Sequence, residues 1–520
     1  MSHDFDWLVI GSGFGGSVSA LRLAQKGHRV GVLECGRRFK DDELPKSTWD
    51  LRRYFFAPWL GMRGIFRLTI FKDVAIASGS GVGGGSLGYA NTLYRAPARF
   101  YDDPQWSKLN DWQVELAPHY AEAERMLGVT TYDEDDPADD YLREYAQEIG
   151  VGETYAKTRV GVFLGKPGVT VSDPFFGGEG PDRTGCLRCG RCMVGCPHGA
   201  KNTLVKNYLW FAERAGATIT PDRMVTDIKP LPGGGYAVTS ERSGAWVRKR
   251  RRVQTARGVV VAAGALGTNR LLARCKLNGS LPGISDRLGE LVRTNSEAIL
   301  AVTLPRDAPY VGRRVAITGS AYPDPDTHIE TVVYGNAGDS MSSIFTLLTG
   351  DGTSLTRPLK LLGAAARHPV RLARCMNPRG WSRRTIIVLV MQSLDNAISL
   401  RASKGRGGRV RLRTEQDPDR PNPTFIPVAN AFTEWLAKRT GGIAQSSIME
   451  AAANIPSTAH ILGGAVIGTS RETGVIDKDL QVFGYENLLV CDGAAVPANV
   501  GVNPSLTITA LAEHAMSRVA

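Results

Sequence analysis

Apolar positions in this chain come in short unbroken runs that end on glycine. Residues 6–10 hold Trp7, Leu8, Val9 and Ile10 without polar interruption, which predicts a strand buried on both faces of a parallel sheet. Gly11, Gly13, Phe14, Gly15 and Gly16 follow at once, then a helical stretch over 17–26 that stops at Gly27. A second strand is predicted over 29–33 and finishes on Glu34. The same order of apolar run, small-residue turn and helix recurs at 258–274, through Ala263, Gly264 and Gly267. Another run at 487–491 closes on Asp492 and Gly493, ahead of a Pro/Asn/Gly-rich segment containing Asn503 and Pro504 and an Ala/Leu/Thr-rich helix. These elements predict an α/β dinucleotide-binding unit of the Rossmann type.

The glycines at 11, 13 and 16 have the spacing that dinucleotide phosphates require. Gly11 permits the tight turn, Gly13 lets backbone approach the pyrophosphate, and Gly16 lets helix and strand pack closely. Backbone N–H groups at the helix N-terminus then face the phosphates, and the Glu34 carboxylate can accept from the adenosine ribose hydroxyls. A second glycine-rich stretch has six glycines in the ten residues 79–88, with Gly81, Gly83, Gly84 and Gly85 before Ser86. It has so little side-chain surface to bury that it makes sense where backbone lies flat on a ligand.

Length and charge add to this picture. At 520 residues the chain predicts two closely packed domains, and 42% hydrophobic with 22% charged residues is ordinary for a globular protein. The +12 net charge suits an anionic partner, either a membrane surface or an acidic electron carrier. The basic run 248–252 reads as the solvated end of a hairpin, with no nucleic-acid motif beside it. The first strand begins by residue 6, so no leader is expected ahead of it, and no window is apolar enough to span a bilayer. Eight cysteines in so long a chain make no disulfide framework, and a reducing cytoplasm is expected, with peripheral membrane association as an extension. Two segments suit the entrance of an apolar substrate. Residues 54–71 mix aromatics with spaced arginines, and 358–376 form a basic amphipathic stretch broken at Pro369. The latter is read first as a broken helix packed on the protein, and second as a membrane contact.

Cys186, Cys189, Cys192 and Cys196, followed by Pro197, have the C-x2-C-x2-C-x3-C-P spacing of bacterial ferredoxins. Closely spaced thiolates on one loop suit a [4Fe-4S] or [3Fe-4S] cluster, whereas structural zinc usually draws on two separated pairs. A metal-free loop is the remaining alternative. Cys35, Cys275, Cys375 and Cys491 stand in strand, helix or apolar contexts and read as core.

Taken together, the glycines at 11–16 with Glu34, the 81–91 loop, residues 199–209, 260–272 and 288–297, His460 with its Gly463–Gly464 turn, and residues 492–513 resemble the glucose-methanol-choline (GMC) oxidoreductase family, nearest its cholesterol-oxidase-like branch. The resemblance covers most of the chain. It implies non-covalent FAD, with the 81–91 loop along the pyrophosphate and isoalloxazine, and Asp492 and Gly493 near the pyrophosphate and ribityl chain. It adds Asn91, Val225, Ala263, Gly264, Asn503 and Pro504 to the cofactor-binding set. It also implies an α+β substrate domain whose antiparallel sheet roofs the flavin. The expected FAD domain is discontinuous, over 1–100, 200–300 and 455–520, with 101–199 and 301–454 as the substrate cap.

The family's catalytic pair falls on His460, which would deprotonate the substrate oxygen, and Asn503, which would orient it. The related sterol enzymes add a glutamate on a cap strand, and the comparable strand over 384–392 has no acid before Asp395. The expected activity is oxidation of the CH–OH group of a hydrophobic sterol-like or long-chain alcohol. An iron–sulfur cluster would pass electrons to a one-electron acceptor, making a dehydrogenase. Desaturation beside a ketone and a non-catalytic FAD-binding protein are the alternatives.

Overall fold

The computed structural model of the protein describes residues 3–405 and 410–520. The apolar run at the start becomes strand Phe5–Ile10, central in a seven-stranded sheet. Val30–Leu33 and Arg252–Val261 flank it, both parallel, and Thr218–Thr220 lies beyond Val30–Leu33. Arg252–Val261 is ten residues long and serves two neighbours on one side. Its apolar second half pairs in parallel with Leu488–Val490, and its first half pairs antiparallel with Tyr236–Arg242, which in turn pairs with Arg223–Pro230. Sequence reading saw only the second half of this strand, because the first half is largely exposed and polar. The first helix, Phe14–Gln25, starts three residues earlier than expected, since Gly15 and Gly16 already lie in its opening turn. It packs against Ser505–Arg518 and Tyr208–Arg214.

A second seven-stranded sheet is antiparallel throughout, in the order Phe345–Leu347, Ile443–Ser447, Ala298–Thr303, Thr385–Gln392, Thr327–Val332, Ile317–Asp324, Ala156–Lys157. In Thr385–Gln392 the side chains alternate between two cores, as a period of two demands. Ile386, Val388 and Val390 join a core that includes Phe432 and Leu436 of helix Pro427–Thr440, and Ile387, Leu389 and Met391 join one with Trp381 and Phe345.

Two small sheets tie the halves together. Glu290–Arg293 pairs with Leu462–Gly464, placing Arg293 opposite Leu462. Ser457–Thr458 pairs with Ala75–Gly79, the strand that leads into the second glycine stretch. The segment 358–376 is indeed two helices, Thr356–Arg367 and Pro369–Cys375, parted at His368. They pack on the cap, Thr356–Arg367 against Ile448–Ala453 and Pro369–Cys375 against Phe345–Leu347, but only Arg357 and Cys375 are buried, and Leu359, Leu362 and Val370 face solvent. Residues 248–251 are exposed between their strands, as a hairpin end should be. Cys275, Cys375 and Cys491 are buried, while Cys35 is half-buried beside Glu34. Among the described residues no helix is long and apolar enough to cross a membrane.

Candidate active site

Cβ atoms added to the glycines show where backbone needs bare space. At Gly11, with φ of +100°, a Cβ would lie 2.1 Å from Ala262 O; at Gly15 it would lie 1.7 Å from Cys491 O, and at Gly16 2.1 Å from Gly11 O. These three glycines seat helix Phe14–Gln25 on the sheet. Gly13 and Gly264 differ, because a Cβ there would meet nothing within 4 Å. Both bound one open cradle: Gly13 caps the helix, and Ala263 and Gly264 stay exposed although they follow a central strand. Gly84 closes the other side, where a Cβ would come within 2.6 Å of Gly13 Cα. The Ser86 hydroxyl donates to Gly83 O at 2.7 Å and accepts from Leu204 N–H at 3.0 Å, holding this loop.

Glu34 binds the two glycine loops together. Its Oε2 accepts from Ser12 N–H at 3.0 Å and Ser12 Oγ–H at 2.8 Å, and its Oε1 accepts from Gly36 N–H at 2.8 Å. Val225 lies two residues beyond Arg223, whose N–H donates to Glu34 O at 2.7 Å. Asp492 Oδ2 accepts from Gly264 N–H at 2.8 Å and the Thr268 hydroxyl at 2.5 Å, and Oδ1 accepts from Ala494 N–H at 2.7 Å. Burial raises its carboxyl to about 6 against those hydrogen bonds. Gly493 opens the short turn Gly493–Ala495, and Pro504 caps Ser505–Arg518. Asn91, at φ of +73°, is buried with neither amide atom hydrogen-bonded. It lines the small cavity that the cysteines share, so the fit to a bound dinucleotide rests on the open cradle at Gly13 and Gly264.

The catalytic candidates meet where the two sheets are knitted. Asn295 Nδ2 donates to Val502 O at 3.0 Å, and its Oδ1 accepts from Gly501 N–H at 2.8 Å. Residues 295–297 and 501–503 therefore cross in a fixed relation. Across that crossing His460 Nδ1 bonds Glu297 Oε1, and Glu297 Oε2 accepts from Ala459 N–H at 2.7 Å. Glu297 is buried.

Glu330, on Thr327–Val332, completes the group. Burial pushes its carboxyl up to about 8; the Asn503 side chain pulls it down, and Glu297 adds to the rise. Neither Glu330 oxygen, nor Asn503 Oδ1, has a hydrogen-bond partner among the described residues. An unmade hydrogen bond on a buried polar group costs about 1–3 kcal/mol, so three such atoms on two neighbouring side chains mark a polar surface open to a further partner. Beside it His328 is buried between Tyr94 and Tyr322, and burial lowers its imidazolium to about 3.

Sequence reading missed both glutamates. No acid stands on 384–392, but Glu330 stands on the neighbouring strand Thr327–Val332, where every position is buried. A charge amid that run was the available signal. Glu297 closes the 288–297 segment that carries part of the family resemblance, but nothing local to it gave it a role, since it only precedes the apolar strand Ala298–Thr303.

The four thiols are arranged unlike the expected metal centre. Among the described residues no three of them approach within 4.8 Å of one another, the closeness that a single metal ion would need. Cys186, Cys192 and Cys196 pack with Tyr132, Val160, Val162, Ala200 and Val315, and burial raises the Cys186, Cys189 and Cys192 thiols. The cavity they line measures about 20 Å³, room for roughly one water and not for a cluster. The iron–sulfur expectation does not fit this packing. What the loop does contribute is support: the buried Lys201 ammonium donates to Cys192 O at 3.0 Å, Leu87 O at 3.1 Å and Tyr89 O at 2.7 Å, bracing the second glycine stretch from behind.

Residues 180–291 and 401–512 match the GMC oxidoreductase family. The chain is 50% identical to a cholesterol oxidase of Mycobacterium tuberculosis (strain ATCC 25618 / H37Rv), covering 99% of this chain and 91% of that one. It is 46% identical to a cholesterol oxidase of Acinetobacter baumannii, covering 100% and 95%. Among solved structures, pyridoxine 4-oxidase from Mesorbium loti shares the fold with a TM-score of 0.61 at 16% identity, covering 99% of this chain and 98% of that one. A fungal aryl-alcohol oxidase does so at 0.59 and 15%, covering 99% of each. With relatives this similar over its whole length, and with a cradle shaped for the dinucleotide, the chain belongs to the GMC oxidoreductase family and is an FAD-dependent enzyme.

Proposed function

We propose that this enzyme oxidises the secondary hydroxyl of a sterol to the ketone with molecular oxygen as the final acceptor. The observation that carries the reading is the meeting of His460, Asn503 and Glu330 over one polar surface, in a chain half identical to a named cholesterol oxidase. Bound FAD supplies the hydride acceptor. A carboxylate can only accept, so a neutral His460 carries its proton on Nδ1 toward Glu297 and presents Nε2 as the base for the substrate hydroxyl. Asn503, with Oδ1 free, orients the substrate oxygen. Once ionised, Glu330 can take a proton from the carbon between a ketone and a neighbouring double bond and return it at the far end of that double bond, which shifts the bond into conjugation with the ketone. The oxidase reading takes the place of the dehydrogenase expected from the cysteine spacing, because the thiol packing has no room for a cluster and the similar proteins carry the name oxidase.

Anaerobic mixing with a 3-hydroxysterol should bleach the flavin, and readmitted oxygen should yield hydrogen peroxide in step with ketone. Bleaching by the ketone but not the alcohol would replace this reading with desaturation.

A further inference from the structure

Residues 352–394 contain eight arginines and lysines and no aspartate or glutamate. This stretch includes the two helices, which pack on Ile448–Ala453 and Phe345–Leu347 with one face and leave the other to solvent. Leu355, Leu359, Leu362 and Val370 are 77, 66, 65 and 62% exposed. The three leucines and exposed Ala366 follow the spacing i, i+4, i+7 and i+11, a single stripe along one helix. Lys360, Arg367, Arg371 and Arg374 form no ion pair among the described residues, leaving their charge for a partner. Beyond the second helix a cavity of about 380 Å³ is lined by Arg306, Arg374, Arg384 and Asn377.

The pair is nonetheless held firmly. Buried Arg357 donates to Glu450 Oε1 at 2.5 Å, Thr424 O at 2.6 Å, Gly350 O at 2.8 Å and Asn454 Oδ1 at 3.0 Å. Glu450 belongs to helix Ile448–Ala453, which leads through Ser457–Thr458 to His460. The exposed leucines are thus a fixed feature, joined by one buried ion pair to the helix that precedes His460 in the chain.

We propose that helices Thr356–Arg367 and Pro369–Cys375 form an interfacial anchor that lays the enzyme on an anionic phospholipid bilayer, leucines among the acyl chains and the arginine-lined cavity on a headgroup phosphate. An apolar stripe beside unpaired cations is what such a surface selects. Two other occupants suit it less. A second copy meeting it across a twofold axis would set these cations against themselves, with no acid in the stretch to relieve them. A nucleic-acid backbone would leave the leucines unmatched. The link to a substrate drawn from the membrane rests on the sterol reading; the docking itself does not.

Co-sedimentation of the FAD-loaded enzyme with sterol-free vesicles separates the two. On vesicles of phosphatidylglycerol and phosphatidylcholine in equal parts, the protein should partition at least about tenfold more strongly than on phosphatidylcholine alone, and raised salt should weaken the binding. Leu359→Ser with Leu362→Ser should lose that partition about tenfold or more while keeping turnover of sterol dispersed in detergent. Arg371→Gln with Arg374→Gln should lose the preference for the anionic vesicles, and this variant decides the matter if the leucine variant fails to fold. Equal partition of wild type on both vesicles, unchanged partition of the variants, or a dimer that the leucine variant dissolves would each overturn the anchor. Failure of detergent-dispersed turnover in the wild type would instead count against the sterol reading alone.

Discussion

At the scale of single residues, the base at the centre of the site is set by its neighbour. Glu297 accepts from Ala459 N–H with one oxygen and meets His460 Nδ1 with the other, so the ring has one orientation and, when neutral, one tautomer. An amide at 297 could donate as well as accept, and would allow the tautomer whose Nε2 bears the proton. Glu297→Gln is therefore expected to slow anaerobic flavin reduction about 10²-fold, to shift its pH profile, and to leave FAD affinity unchanged. Stopped-flow reduction at the parent rate would remove Glu297 from this role. Glu330 makes a different prediction. Burial raises its carboxyl from 4.5 to about 8, so between those values the folded protein keeps a proton that the unfolded chain releases. Its contribution to stability is complete below pH 4.5 and is lost as the pH climbs toward about 8. Glu330→Gln stays neutral throughout, so its melting temperature should gain on the wild type as pH rises across that window. A difference that does not change with pH would mean the folded protein ionises Glu330 normally.

At the scale of elements, two glycines separated by a single residue serve different masters. Gly15 is held by its contact with Cys491 O, whereas Gly13 faces the cradle with nothing of the protein near it. Gly15→Ala should lower stability by about 1–3 kcal/mol or prevent folding, as overpacking does. Gly13→Ala should melt near the parent temperature yet bind FAD at least about tenfold more weakly, because its methyl group occupies space the phosphates need. Thermal melts beside fluorescence titration of the flavin distinguish the two; equal effects on both readouts would undo the assignment. The first strand, helix and turn were legible because each carries its own punctuation within thirty-odd residues of chain. Arg252–Val261 was only half legible, since its first five residues are stabilised by an antiparallel neighbour and not by burial.

At the scale of the whole molecule, the dinucleotide half was readable and the roof was not. The roof's strands find partners far along the chain, as Ala298–Thr303 does in Ile443–Ser447, so no local pattern announces which strand bears the functional acid. That is why the glutamate was sought on Thr385–Gln392 and missed on its hydrogen-bonded neighbour. The cysteine spacing was legible as spacing alone. What packs between the thiols depends on Tyr132, Val160 and Val315, which come from other parts of the chain. Likewise the helices over 356–375 were foreseen, with their break, but not which face they would show to water.

The pairing of Leu488–Val490 with Arg252–Val261 has a consequence in time. A ribosome adds about 5–20 residues per second, so roughly 20 to 90 seconds separate Glu34 from Leu488. Through that interval the nascent chain carries the first glycine turn and Glu34, but lacks Asp492, Asn503 and the helix that packs behind Phe14–Gln25. One edge of its central sheet is bare while it waits, the state in which unpaired strands find wrong partners. Flavin capture accordingly waits on Asp492 and Asn503, and whatever shields that bare edge during synthesis governs how much of the protein reaches the stage of binding its cofactor.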